Sequence, residues 1–182
     1  MLTRLAPLAS AFVFCAACST GMMTRQPVAV ATAALADASG RAVGTARMWQ
    51  EEGGLVHVDL NVVAMPSGSH GIHFHSVGRC DDSPMPAFTS AGDHYNPLGR
   101  AHGLQNTAGP HAGDAPNLSV ATGGQGRLSF TTGRVTLTGG PVSLMDADGS
   151  AVVVHAAADD QASQPAGNSG SRIACGVVRL GN

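Results

Sequence analysis

The chain has no lysine and few aromatic or charged residues, and these shortages narrow what it can do. Of its 182 residues, 4% are aromatic and 12% are charged, and the formal net charge is -2. A charge balance this close to neutral offers no basic surface for nucleic acid or for an anionic membrane. Long stretches of leucine, glutamate and lysine are also missing, which argues against a helical bundle.

Glycine and proline are plentiful instead, at 24 and 10 residues, and the chain is 43% hydrophobic. This composition favours one all-β domain with a single core. Clean alternation over 55–63 predicts a half-buried strand with His57 on its solvent face. Two segments, 77–116 and 157–172, lack any period, and such long loops are usually functional. We predict strands at 28–36, 41–50, 55–63, 70–76, 117–121, 127–131, 134–138, 151–156 and 173–180.

The first 18 residues have the features of an export signal. Arg4 supplies a positive charge, and Leu5 to Ala17 is an apolar stretch too short to span a bilayer stably. The end of this stretch, Ala16-Ala17-Cys18, resembles a bacterial lipobox, in which the cysteine is lipidated and becomes the first mature residue. Ordinary cleavage nearby, with release of a soluble protein, is the alternative that these residues leave open.

Removal of the leader would leave Cys80 and Cys175 as the only cysteines. In an oxidising compartment two such cysteines form a disulfide by default. The bond would close a loop of about 95 residues, which the chain-entropy model values at roughly 4–5 kcal/mol. We therefore predict a signal peptide at 1–18, a tether at 19–27, and an exported, periplasmic domain at 28–182, with a lipid on Cys18 as its membrane tether.

Six of the eight histidines and one aspartate form a set that indicates metal binding. His73 and His75 are two apart in a predicted strand, so both imidazoles point to one face. His155 ends another predicted strand and can come alongside them. Four nitrogens suit tetragonal Cu(II), whereas three imidazoles and a carboxylate suit a closed zinc site. The second group, within the loop 77–116, consists of His94, His102, His111 and Asp114.

The number of ligands sets a constraint on these two sites. Six histidines and one aspartate offer seven ligands for eight positions. Either one site is open, or one imidazole serves both metals. The loop 77–116 has little core of its own, so we expect metal binding to order it.

Several segments resemble copper/zinc superoxide dismutases in order and in spacing. They are 71–75 (GIHFH), 90–97 (SAGDHYNP), 111–114 (HAGD) and 170–176 (GSRIACG). The similarity covers roughly residues 28–180 and is greatest to the exported bacterial branch. It implies a Greek-key β-sandwich or flattened barrel of about eight antiparallel strands with two long functional loops.

The resemblance also implies a role for each residue of the set. The activity would be disproportionation of superoxide to oxygen and hydrogen peroxide by a redox-cycling copper, bridged through a histidine to a structural zinc. His94 would be that bridge, which resolves the count of seven. Arg172 would lie beside the copper as a cation for the anionic substrate, and Asp159 would hydrogen-bond a copper and a zinc histidine together. The implied copper ligands are His73, His75, His94 and His155, and the implied zinc ligands are His94, His102, His111 and Asp114.

Two other functions compete with this interpretation. A module that stores or transfers metal without turnover would be expected to lose copper ligands or the arginine. A structural sandwich with a degenerate site would show eroded ligands, and none is eroded here. The loop 157–172 departs from many relatives because it has no lysine, so substrate steering would be weaker or placed elsewhere. Monomer and homodimer are both open.

Overall fold

The structure is a computed structural model that describes residues 26–83 and 85–181. The predicted leader and Cys18 lie outside the described residues, as does most of the tether. Within the described part there is no α-helix, and none of its helical segments is long and apolar enough to cross a membrane. Its elements are β1 (Ala29–Asp37), β2 (Ala42–Gln50), β3 (Val56–Val62), β4 (Gly68–His70), β5 (Ile72–His75), a 3-10 turn (Thr89–Ala91), β6 (Leu118–Val120), β7 (Gly126–Thr132), β8 (Ala151–His155), β9 (Arg172–Val177) and β10 (Arg179–Leu180).

The strands form one antiparallel sheet that curls on itself. Its order is β4-β6-β7-β3-β2-β1-β9-β8-β5, with β10 paired to β1. The two ends of this order, β4 and β5, are separated along the chain by Gly71 alone. The sheet must therefore bend until its edges meet, which gives a nearly closed barrel and confirms the predicted all-β class.

The core lies inside this barrel and follows the alternation of the sequence. Along β3, Val58 and Leu60 are buried, whereas His57 lies on the outer face and stacks on Trp49 with ring centroids 5.0 Å apart. The prediction of a half-buried strand at 55–63 is therefore confirmed. Alternation places the apolar side chains inward because successive residues of a strand point to opposite faces.

Three of the expected strands differ in the structure. The segment 134–138 is not a strand. Thr136 makes an isolated bridge to Ser143, and the next two backbone N–H groups, those of Leu137 and Thr138, donate to the Gln50 side chain at 2.6 and 3.3 Å. Its apolar residues are buried, but burial alone does not make the segment a strand. The predicted strand 70–76 is divided at Gly71 into β4 and β5, and 173–180 is divided into β9 and β10. Ten strands therefore replace the expected eight or so.

The predicted disulfide is confirmed. Cys80 and Cys175 are bonded, with their Cα atoms 5.6 Å apart. The bond fastens the start of the long loop 76–117 to β9. Phe88 and Ala91 of that loop pack with Cys175 in a small apolar cluster separate from the main core. The loop is thus attached to the barrel by a covalent bond and by packing.

Candidate metal centre

The barrel brings all seven residues of the predicted set together. His73 and His75 lie on β5, and His155 ends β8, the strand that pairs with β5. Two isolated backbone bridges then place the long loop along β5, one joining His73 to Asp114 and the other joining His75 to His94. The seven residues are buried, and none exposes more than 8% of its surface.

Four of the histidines form a group whose nitrogen atoms could hold one metal ion. Each has one buried ring nitrogen without a hydrogen-bond partner among the described residues. A buried nitrogen without a partner is costly in the absence of a ligand, so a metal is the group that fits it. We call this the copper group, and its unpartnered atoms are His73 Nδ1, His75 Nε2, His94 Nε2 and His155 Nε2.

The second nitrogen of each ring makes a hydrogen bond, and this bond determines which tautomer the ring adopts. His75 Nδ1 lies 2.9 Å from the Gly92 carbonyl, and His155 Nδ1 lies 3.1 Å from the Gly170 carbonyl. Because a carbonyl oxygen only accepts, each Nδ1 carries the hydrogen and Nε2 keeps its lone pair. His73 is reversed, since its Nε2 lies 2.7 Å from Asp159 Oδ2 and its Nδ1 is left for a metal.

Burial prepares these rings for metal binding. Desolvation lowers the pKa of His73 to about 4 and that of His155 to about 3, although hydrogen bonds to Asp159 and Gly170 partly oppose it. Desolvation also holds the pKa of His75 well below its usual value of 6.5. The three imidazoles are therefore neutral at pH 7, which is the form that binds a metal.

A second group surrounds the Asp114 carboxylate, and we call it the zinc group. Asp114 Oδ1 lies 3.0, 3.2 and 3.3 Å from the Nδ1 atoms of His102, His94 and His111. Asp114 Oδ2 accepts the backbone N–H of Gly103 at 2.8 Å and that of His111 at 3.0 Å. One carboxylate oxygen thus faces three imidazoles while the other is held by the loop backbone.

One set of donor atoms around Asp114, all within 4.8 Å of one another, contains His73 in place of His111. The hydrogen bonds of His73 favour His111 over it as the fourth donor of this group. Its Nε2 is occupied by Asp159, and its Nδ1 belongs to the copper group. His111 Nδ1 is buried without a hydrogen-bond partner and faces Asp114, so it is the better fourth donor.

Asp159 joins the two groups. Its carboxylate contacts His73 Nε2 at 2.7 Å and His102 Nε2 at 3.0 Å. Burial would raise the pKa of this carboxyl, but the hydrogen bonds from His102 and His73 lower it below its usual range. For His102 burial lowers the pKa, and hydrogen bonds to Asp114 and Asp159 outweigh it and raise the pKa to about 9. Asp159 therefore acts as an anion that orients one ring of each group.

Arg172 lies in the cleft that leads to the copper group. Its Nη1 donates to the Phe88 carbonyl at 2.6 Å, and its Nη2 donates to the Gly92 carbonyl at 2.7 Å. The Gly92 carbonyl also accepts from His75, so the guanidinium and one copper-group ring share an acceptor. The cleft has a volume of about 730 Å³ and is lined by His75, His94, His155 and Arg172.

The charges at the mouth of this cleft are mostly negative. Asp93, Asp146 and Asp148 are exposed and line it, whereas Arg172 is the one cation among its described lining residues. Burial lowers the pKa of Arg172, and the nearby Asp93 partly opposes this shift. The local field therefore combines one fixed cation at depth with three carboxylates at the rim.

Several polar residues that contact the site have no signature in the sequence. Gln161, Gln164 and Asn117 bond to the backbone around it, and Arg134 Nη2 donates to the Asp114 carbonyl at 2.8 Å. These are ordinary polar residues of loops and turns. Their role in supporting the site is visible only from their hydrogen bonds to backbone groups that are distant in the sequence.

Comparisons with known proteins agree with this geometry. The sequence model of the family "Copper/zinc superoxide dismutase (SODC)" matches residues 42–178. "Superoxide dismutase [Cu-Zn] 2" of Aquifex aeolicus is 40% identical over 82% of this chain and 86% of its own. "Superoxide dismutase-like protein YojM" of Bacillus subtilis is 39% identical over 81% of this chain and 74% of its own. A crystal structure of a SOD-like protein from Bacillus subtilis, 35% identical, superposes with a TM-score of 0.74 over 80% of this chain and 96% of its own.

Proposed function

The chain belongs to the copper/zinc superoxide dismutase family, and from this premise we propose which of its residues bind the metals and carry the reaction. The activity is disproportionation of superoxide to oxygen and hydrogen peroxide, with copper and zinc as cofactors. The observation that carries our assignment is the convergence of four buried ring nitrogens without protein partners. We assign copper to these atoms of His73, His75, His94 and His155.

Zinc is assigned to the group around Asp114. Its proposed ligands are the Nδ1 atoms of His94, His102 and His111 and the carboxylate of Asp114. Three imidazoles and one carboxylate close a tetrahedral site and leave no position for substrate. His94 belongs to both sites, with Nδ1 3.2 Å from Asp114 Oδ1 and Nε2 among the unpartnered atoms. It is therefore the proposed bridge.

The bound copper supplies one-electron exchange with superoxide. The protein's own groups bind and orient the anion and handle the proton. Arg172 is fixed by two backbone carbonyls at the copper side of the cleft, where its guanidinium offers a charge and a fork of donors to a small anion. His94 Nε2 is proposed to take up a proton in one half of the cycle and to release it to the product in the other.

We also propose the domain order and the location. The signal peptide is residues 1–18, the tether is 19–27, and the catalytic domain is 28–182. Support comes from the disulfide, which suits an oxidising compartment, and from bacterial relatives of this family. The periplasm is the proposed location, with a lipid on Cys18 as anchor. Intact mass of the exported protein distinguishes a lipidated Cys18 from a free N-terminus, and sedimentation distinguishes monomer from homodimer.

The first experiment measures dismutation by the purified mature protein, with metal content determined on the same sample. Copper is then removed and restored. We expect rapid activity that is lost with copper and regained with it. Full copper and zinc occupancy without activity would contradict this and favour a metal-binding module.

A further inference from the structure

Two glutamine side chains of the loop 157–172 bond to the backbone of the loop that carries the zinc group. The Gln164 Oε1 atom accepts the His102 backbone N–H at 2.8 Å, and its Nε2 donates to the His102 carbonyl at 3.0 Å. A carboxamide can make this pair of bonds because it carries both a donor and an acceptor. Gln164 thus pairs with both backbone groups of a proposed zinc ligand.

Gln161 makes a similar contact on either side of the zinc group. Its Oε1 accepts the Leu104 backbone N–H at 3.2 Å, and its Nε2 donates to the Ala115 carbonyl at 3.2 Å. Leu104 follows His102 by two positions, and Ala115 comes directly after Asp114. Gln161 is 8% exposed, so these bonds are shielded from water. One side chain therefore ties together the two ends of the segment 104–115, which holds two of the zinc-group residues, His111 and Asp114.

The backbones of the two loops are also in direct contact. The Gln105 N–H donates to the Gln161 carbonyl at 3.3 Å. Gly103 has a φ of 106°, and a Cβ atom there would overlap the Gln161 carbonyl. Only glycine allows this approach, because it has no Cβ and tolerates positive φ. None of these bonds uses a side-chain atom of the zinc group, so none depends on metal.

We propose that Gln161 and Gln164 are positioning residues that hold the zinc-group loop in its binding geometry before zinc arrives. The proposal rests on the zinc assignment made above and extends it to the metal-free protein. It replaces the expectation that metal binding orders this loop. A loop that is already held in its binding geometry binds zinc more tightly, because less conformational entropy is lost when zinc binds.

The test compares Gln161→Ala, Gln164→Ala and the double variant with the parent protein. Zinc affinity and zinc dissociation rate are measured on metal-free samples by competition with a chelating dye. Loss of an outer partner of a metal ligand typically weakens binding about 10–100-fold, and we expect this range for the double variant. Gln164→Glu keeps the side chain's size but loses the donor to the His102 carbonyl, so we expect it to resemble Gln164→Ala.

The matched control is Gln105→Ala, which makes the same change in the loop that carries the zinc group. Gln105 is exposed, and its contact with Gln161 uses only the backbone. We expect its zinc affinity to equal that of the parent. Hydrogen exchange over 101–116 is the second readout. In the metal-free parent these amides should be protected, and in the double variant they should exchange at least about tenfold faster until zinc is added.

Two results would overturn the proposal. One is fast exchange over 101–116 in the metal-free parent, which would mean that zinc orders the loop. The other is zinc affinity within twofold of the parent in both single variants, which remain informative if the double variant fails to fold. His111→Ala tests the zinc assignment separately. If this variant binds zinc normally, the assignment fails, whereas the exchange data still report on the glutamines.

Discussion

The copper group and the zinc group share His94 and lie against the same strand, yet they differ in what completes them. Rings of the copper group are held by backbone carbonyls, and the group opens into a cleft of about 730 Å³. The zinc group is built around a buried carboxylate, and glutamine side chains bond to the backbone of the loop that carries it. Under the proposed assignment, one cluster of histidines provides both a site that substrate can reach and a site that only holds a metal.

The largest expected effect comes from the residue that the two groups share. We expect His94→Ala to abolish copper-dependent dismutation and to weaken zinc binding in the same protein, by more than the ~100-fold typical of losing an outer partner. Dismutation rate and the affinity of each metal are the measurements. Normal copper activity in this variant would contradict the shared-ligand assignment.

Asp159 is the second contact between the groups. We expect Asp159→Asn to weaken zinc binding about 10–100-fold and to alter the optical spectrum of the copper site, because His102 and His73 both lose an anionic partner. Asp160→Asn is the control, since Asp160 is exposed and its carboxylate accepts hydrogen bonds from Ala162, Ser163 and Asn168 of its own loop. An effect on one metal alone would show that Asp159 does not couple the sites.

Arg172 distinguishes the groups, because it lies on the copper side only. We expect Arg172→Ala to lower kcat/KM by about tenfold or more while both metals remain bound, since a fixed cation near a cleft raises the encounter rate of an anion. Arg172→Lys should recover part of the rate, because the charge returns without the planar fork. Loss of zinc in either variant would mean that the arginine has a structural role instead.

The smallest effect concerns the acidic rim of the cleft. We expect the double variant Asp146→Asn, Asp148→Asn to raise kcat/KM about two- to fivefold at low ionic strength, because two carboxylates that repel superoxide are removed. The gain should shrink as salt screens the charges. Asp82→Asn, an exposed acid that does not line the cleft, is the control. An unchanged rate in the double variant would show that the rim does not affect substrate entry.

Parts of the fold could be predicted because they are encoded in neighbouring residues. The alternation over 55–63 predicts β3, and the two-residue spacing of His73 and His75 places both rings on one side of β5. The segment 134–138 has the same apolar character but does not pair as a strand. Its backbone makes one isolated bridge, from Thr136 to Ser143, and then bonds at Leu137 to the side chain of Gln50, 87 positions away. The periodicity of apolar residues predicts which side chains are buried. It does not predict which groups the backbone N–H and C=O bond to.

The same distinction applies to the site. The sequence by itself determined the chemical identity of the proposed ligands, since the types and spacings of the histidines and Asp114 are local properties of the chain. Only the tertiary structure decided what surrounds them. Gln164 and His102 are 62 positions apart, and Asn117 and Asp159 are 42 apart. Such pairs meet because the curled sheet and the disulfide bring two loops together, and no local pattern records a contact of this kind.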